Sequence, residues 1–296
     1  MSTVYPVAII GVGNMGGAMA ERLLATGWPV HVCDVRPERG QALAALGAVA
    51  HALPSDAARA AHLTIVCVVD AAQSRDVLFG AGAVANAMHL GHCVMLCPTM
   101  APSDVEDITL QLRPFGLHAI DAPMSGGPAR ARDGSMSLMV ACPPTVFERH
   151  RGLIETLSGK VFRISEKPGD GARTKLVNNL AAGINLVAAA EVLALARRMG
   201  LDQAATLAVI EQSSGQSWIG SDRMRRAIAG DLAPRAHMTL LAKDTRLALQ
   251  AAQAAGFEGP LGARTRDVFA AASAGGLAEH DDAALLQWLS GSDLAG

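Results

Sequence analysis

Hydrophobic positions divide the chain into a first half of short apolar runs and a second half with helical spacing. Residues 4–10, 29–33, 63–69, 93–96, 117–121, 135–141 and 160–164 are brief runs rich in Val, Ile and Leu, separated by segments of mixed polarity such as 74–88, which reads as helix and loop. Uninterrupted runs of this length predict a parallel sheet covered on both faces, and their alternation with helix-like segments predicts an α/β, doubly wound fold. In residues 202–213, 221–229, 238–255 and 261–274, apolar side chains recur three and four apart, with Gly or Pro between segments. That pattern predicts an all-α region.

Between the halves lies GDGARTKLVNNLAAGINLVAAAEVLALARRMG, residues 169–200. It reads as one long helix over about 171–199, roughly 40 Å from end to end, long enough to join two bodies. Leu, Val, Ile and Ala occupy nearly every side, which predicts a helix buried all round. Lys175 and Asn179 stand four apart and share a face. The segment EKPGDG, 166–171, reads as the hinge, so the expected domains are 1–165 and 166–296.

Composition adds limits. Half of the 296 residues are hydrophobic, enough for two cores. A net charge of −2, with one arginine cluster (Arg223, Arg225, Arg226) and no aromatic neighbours to it, points away from nucleic acid. The start, MSTVYPVAIIGVG, has no Lys or Arg before its apolar run and reads as a strand rather than a signal peptide. Asn185 and Glu191 interrupt the longest apolar stretch, which argues against a membrane span. Cys33, Cys67, Cys93, Cys97 and Cys142 fall in or beside strand-like runs without a CxxC pair, so buried free thiols and a reducing cytoplasm are expected. His89 and His92 share the segment HLGH with a glycine and no third ligand, and no metal site is expected.

The first strand runs into GVGNMG, 11–16, and then a helix-like segment. Gly11 permits the tight turn, Gly13 lets a pyrophosphate approach, and Gly16 allows close packing, with Asn14 and Met15 at the helix start. The second strand ends in Asp34, about 20 residues past the glycines, where an acid holds the ribose diol. A carboxylate there favours NAD over NADP, with Arg36 softening the choice; the plain alternative is a turn residue at a strand end. Ligands in such sheets lie beyond the carboxyl ends of strands, which places Val69 and Thr99 along the cofactor crevice, while Ser103 offers a helix cap. Ser125, Gly126 and Gly127 provide a hydroxyl and unhindered amides suited to a carboxylate, or form an ordinary Gly-Gly-Pro turn. In the helical half, SSGQSW (213–218, ending in Trp218) and Lys243-Asp244 are polar enough to face a ligand, or to be surface.

Four segments, GVGNMG, DAPMSGG (121–127), GDGARTKLVNN (169–179) and KDTRLAL (243–249), together resemble the signatures of the β-hydroxyacid dehydrogenases, the 3-hydroxyisobutyrate dehydrogenase family. The order and spacing match over nearly the whole chain. This resemblance implies a dinucleotide-binding domain, an α-helical second domain and an active site at the long helix. It implies Lys175 as catalytic lysine, Asn179 as the amide orienting substrate, Ser125 to Gly127 as carboxylate site, and Lys243 as a second lysine near cofactor and substrate. Met124 stands where valine is common, and Cys97-Pro98 precede Thr99 where a more polar run is usual. SGQSW, GDLAPRA (230–236) and HDDAALLQWLSG are most similar to the L-threonate dehydrogenase branch, whereas Asn178-Asn179 is closer to the 3-hydroxyisobutyrate wording.

The resulting expectation is NAD-dependent hydride transfer from a small hydroxy acid, with Lys175 exchanging the hydroxyl proton. That role requires a lysine whose pKa is lowered by burial or neighbouring positive charge. The polar run from Ser213 to Ser217, with Gln216 and beside Trp218, favours a threonate-like sugar acid over 3-hydroxyisobutyrate, tartronate semialdehyde or serine. An imine reductase shares this architecture but usually has another residue in place of the lysine, and a non-catalytic NAD-binding protein needs only the first domain's signals. The apolar long helix and alanine-rich second domain predict a homo-oligomer, a dimer or tetramer.

Overall fold

A computed structural model describes residues 4–291. The first strand, β1 (Val7–Ile10), leads into α1 (Asn14–Ala25), and alternation continues through β2 (Val30–Cys33), α2 (Pro37–Ala44), the two-residue β3 (Val49–Ala50), α3 (Pro54–Arg59) and β4 (Leu63–Val66). Helices α4 (Ala71–Phe79) and α5 (Val84–Ala87) precede β5 (Cys93–Leu96), α6 (Pro102–Leu112) and β6 (His118–Asp121). The second half of the sheet comprises β7 (Met124–Ser125), α7 (Gly127–Asp133), β8 (Ser137–Ala141), α8 (Pro144–Leu157) and β9 (Lys160–Ser165).

The sheet order is β3-β2-β1-β4-β5-β6-β8-β7, with β9 on β8. From β3 to β6 every neighbour is parallel, but β8 runs antiparallel to both β6 and β7. The parallel sheet expected from the apolar runs therefore holds from β3 to β6 and again for β8 with β9, and β8 is the strand that runs against its neighbours β6 and β7. The short β7 and β3 carry too few residues to show an apolar run. Side-chain alternation along each strand builds the two covered faces. Val7, Ile9, Leu63, Ile65 and Met95 pack with Met19 and Leu23 of α1 and Phe147 and Ile154 of α8. Their neighbours Ala8, Ile10, Val66, Val94 and Leu96 pack with Leu78 of α4 and Val105, Ile108 and Leu112 of α6.

One helix, α9 (Asp170–Arg198), follows the sheet, and then come α10 (Gln203–Glu211), α11 (Trp218–Ile228), α12 (Met238–Ala254), α13 (Pro260–Ala272) and α14 (Leu285–Ser290). Their apolar faces close a separate core of Leu186, Leu193, Met224, Met238, Phe269 and Leu285. Two compact units result, the first ending at Lys175 and the second beginning at Leu176, so α9 runs through the division.

The expected all-round burial of α9 does not hold within one chain. Val177, Val192, Leu195 and Met199 are 44–71% exposed, and with the exposed Ala181 and Ala188 they recur at spacings of three, four and seven. Such spacing traces one stripe along the helix. Leu186, Ala190, Leu193 and Ala194 form the buried face. Cys67 is half-buried and the other four cysteines are buried, all five as free thiols.

Candidate active site

The glycine turn is built by steric exclusion. Gly11 has φ +89°, and a Cβ on Gly16 would lie 2.0 Å from the Gly11 carbonyl oxygen, so only glycine lets α1 start this close to β1. Gly13 caps α1 without a side chain, and the Cβ position there meets only the Arg39 guanidinium, at 3.4 Å. Asn14 and Met15 open the helix beside this bare backbone. A cradle that a Cβ would fill, ending on a helix N-terminus, fits a dinucleotide pyrophosphate.

Asp34, just past β2, turns back onto that loop. Its Oδ2 accepts from the Val12 amide at 2.8 Å and its Oδ1 from the Arg36 amide at 2.9 Å, while the Arg39 guanidinium lies 3.6 Å away. The carboxylate is thus oriented by backbone before any ribose reaches it. Val69 follows β4 and is half-exposed, with its amide donating to Gln73; Asp70 caps α4 through the Gln73 amide. Thr99 follows β5 and is partly buried. Parallel pairing of β2, β1, β4, β5 and β6 brings the carboxyl ends of these strands, and hence Gly11, Asp34, Val69 and Thr99, to one edge. Ser103 does not cap α6; the helix begins at Pro102 with Ala101 as its cap residue, because Pro is itself suited to the first turn.

At the end of β6, Asp121 is 1% exposed and reaches the start of α9. Its Oδ2 accepts from the Gly169 amide at 2.7 Å and the Ala172 amide at 3.1 Å. A Cβ on Gly171 would sit 2.7 Å from the Met139 carbonyl oxygen and 2.9 Å from the Asp121 carboxyl. The GDG of the hinge is therefore a close approach of α9 to β6 and β8. Burial pushes the Asp121 carboxyl up to about 6, against the downward pull of the Ala172, Gly169 and Gly171 amides. Four residues on, Ser125 ends β7, and Gly126 and Gly127 continue with φ of +128° and +75°. Lys175 lies one turn into α9 and is buried at 8% exposure.

In the helical unit, Asn179 is likewise 8% exposed, and its Nδ2 donates to Asp244 Oδ2 of α12 at 2.6 Å. Its Oδ1 accepts from Asn178 Nδ2 at 3.0 Å. Lys243 Nζ is 3.2 Å from Asp244 Oδ1, an ion-pair distance without hydrogen-bond alignment. Trp218 opens α11 behind Ser217, whose hydroxyl accepts from the Gly220 amide, and is half-exposed. It borders a cavity of about 290 Å³ with Gln212, Gln216, Asp222 and Arg225.

Comparison with known proteins fixes the lineage. Residues 6–165 match the NAD binding domain of 6-phosphogluconate dehydrogenase, and residues 169–289 match the NAD-binding domain of NADP-dependent 3-hydroxyisobutyrate dehydrogenase. The chain belongs to the 3-hydroxyisobutyrate dehydrogenase family. Among its relatives, an L-threonate dehydrogenase of Cupriavidus necator is 36% identical over 98% of both chains, and a 2-hydroxy-3-oxopropionate reductase of Escherichia coli is 31% identical over 96% of both. A crystal structure of a 3-hydroxyisobutyrate dehydrogenase from Salmonella typhimurium superposes with a TM-score of 0.90 at 33% identity, covering 96% of this chain and 99% of that one. Membership makes this protein an oxidoreductase of CH–OH groups in hydroxy acids that uses a nicotinamide dinucleotide, NAD being supported. The sequence offers Asp121 only as a letter of a motif and Asp244 only as part of a polar pair able to face a ligand; their capping and clamping roles depend on partners 48 to 65 positions away, which no local pattern displays.

Proposed function

We propose that the chain oxidises a threonate-like four-carbon sugar acid with NAD, using Lys175 as general base. The observation that carries the chemistry is the pairing of buried Lys175 with buried Asn179, one turn apart at the head of α9. Substrate carboxylate is assigned to the Ser125 hydroxyl and the Gly126 and Gly127 amides. Lys175 takes the substrate hydroxyl proton as the carbonyl forms, and returns it in the reducing direction. Asn179, its amide held by Asp244, orients that hydroxyl. The Gly11–Gly16 turn would hold the pyrophosphate of NAD and Asp34 its ribose, and the bound nicotinamide would supply the hydride acceptor. Val69 and Thr99 are assigned to the cofactor wall, Lys243 to a supporting cation beside Asp244, and Trp218 to the substrate side. The names of the L-threonate dehydrogenase relatives and the polar run from Ser213 to Ser217 beside Trp218 support a polyhydroxylated acid over a branched aliphatic one.

The exposed apolar stripe of α9 supports a homo-oligomer, a dimer or tetramer, and the five free cysteines and net charge of −2 support work in the cytoplasm on a small molecule rather than on nucleic acid. Lys175, Asn178, Asn179, Asn185 and Glu191 along the same helix speak against a span. A monomer by light scattering at micromolar concentration overturns the assembly.

The direct test is NADH formation by purified protein over a panel of hydroxy acids, repeated with NADP. Turnover of threonate above 3-hydroxyisobutyrate, serine and glycerate, with NAD preferred, is the expected result. Equal efficiency on 3-hydroxyisobutyrate and threonate overturns the substrate assignment, and silence on every acid overturns the reaction.

A further inference from the structure

We infer that Asp121 is a positioning residue for the reaction: through the first amides of α9 it sets the place of Lys175 relative to the Ser125–Gly127 loop. This rests on the Lys175 reading above. The inference starts from an imbalance in the local chemistry. A carboxylate buried to 1% exposure is costly unless it is fully bonded, yet Asp121 Oδ1 finds no partner among the described residues and only Oδ2 is used. Packing alone would be served by an apolar residue there, but that would leave the Gly169 and Ala172 amides without their acceptor. What the carboxylate does is specific: it accepts from the amide that opens the GDG segment and from the Ala172 amide just after it, two of the donors that a helix N-terminus leaves unpaired.

Its position in the chain gives that bond a consequence. Asp121 is the last residue of β6, and Ala122-Pro123-Met124 carry the chain directly to Ser125. Ala172 lies three residues before Lys175 on the same helix, a rise of about 4.5 Å. One side chain therefore ties the strand that delivers the anion loop to the helix that delivers the amine. Gly171 is required for the same approach, since its Cβ would strike both Asp121 and the Met139 carbonyl. Fifty positions of chain separate Ser125 from Lys175, and apart from this bond their spacing is held by the β7–β8–β9 ladder and by packing.

Ionisation of Asp121 enters this link. A charged carboxylate accepts from helix-terminal amides more strongly than a neutral carboxyl and is favoured by the helix dipole. The titratable groups facing it are Asp170 of α9, Cys97 beyond β5 and Cys142 beyond β8; Asp170 opposes its charge. Protonation therefore weakens the two amide bonds at the head of α9 in mildly acidic solution, even as it relieves the buried charge.

The experiment compares wild type with Asp121→Asn, Asp121→Ala and Lys175→Ala, measuring kcat, KM for the acid, pH profiles of kcat, and NADH affinity by fluorescence, with kcat normalised to NADH-binding sites. Asp121→Ala is expected to lower kcat about 100-fold, the scale of a 1 Å misplacement, with NADH affinity within about twofold. Asp121→Asn, which keeps an acceptor oxygen, recovers most of that loss and lacks the acid limb near pH 6 that wild type shows. If Asp121→Ala does not fold, the Asn variant decides through the pH profile. An unchanged acid limb in Asp121→Asn, or a normal kcat per binding site in Asp121→Ala, overturns the inference. Normal turnover by Lys175→Ala instead overturns the general-base reading on which it rests.

Discussion

The side-chain amide of Asn179 donates to the carboxylate of Asp244 at 2.6 Å, linking α9 to α12 inside the helical unit. Both residues are more than nine-tenths buried, so the bond forms where competing water is scarce. The clamp also fixes which way the amide faces: Nδ2 is committed to the carboxylate, and Oδ1 accepts from Asn178. Asp244→Ala leaves that amide buried without its acceptor, a loss of about 1–3 kcal/mol in stability. The expected kinetic result is a fall of about 10- to 100-fold in kcat/KM for the acid. Asp244→Asn, which offers a neutral acceptor in the same place, is expected to fall between. Wild-type kcat/KM in Asp244→Ala would show that Asn179 needs no clamp.

How much of this was legible beforehand can be judged from particular elements. β5 was expected over 93–96 and forms there, because a run of apolar residues between polar segments has one use in an α/β chain. The glycine turn and Asp34 were legible because both lie on consecutive elements with fixed spacing. β3 and β7 were not, since two residues cannot show an alternation. The exposed stripe on α9 was missed for a different reason. Apolar residues on every side of a helix state that all sides want burial, not that one chain supplies the cover. Asp121 was visible only as the first letter of DAPMSGG, because its function is a bond to residues 48 and 51 positions later.

Cofactor choice is expected to follow Asp34. Its two oxygens are already oriented by the Val12 and Arg36 amides, so the carboxylate cannot swing away from a 2′-phosphate arriving at the ribose. Arg39 at 3.6 Å offsets part of that repulsion and is 38% exposed, free to be drawn toward a phosphate once the carboxylate is gone. Asp34→Ser is therefore expected to move the ratio of NADPH to NADH dissociation constants toward NADP by about tenfold, equivalent to about 1.4 kcal/mol. Both affinities can be read by fluorescence titration without turnover. An unchanged ratio would mean that Asp34 braces the turn and does not select the dinucleotide.

Acid sensitivity is expected to arise at His150 on α8. The Tyr5 hydroxyl and the His150 Nδ1 share a hydrogen bond at 2.6 Å, and the ring's Nε2 has no partner among the described residues. Burial first, then the charges of Arg149 and of His118, His92 and His62, pull His150 down to about 4. A folded-state value below the ordinary 6.5 means that the unfolded chain binds the proton more readily. The contribution is thus complete above pH 6.5 and is lost as pH falls from 6.5 toward 4. Asp121 and Asp282, both pushed up to about 6 by burial, act in the opposite sense, since protonating them below pH 6 relieves a buried charge. Comparing variants isolates the histidine from those acids. His150→Asn keeps a partner for the Tyr5 hydroxyl but does not titrate, and its melting temperature is expected to drop less than that of wild type between pH 7 and pH 5. Melting curves that shift in parallel for the two proteins would assign the acid lability elsewhere.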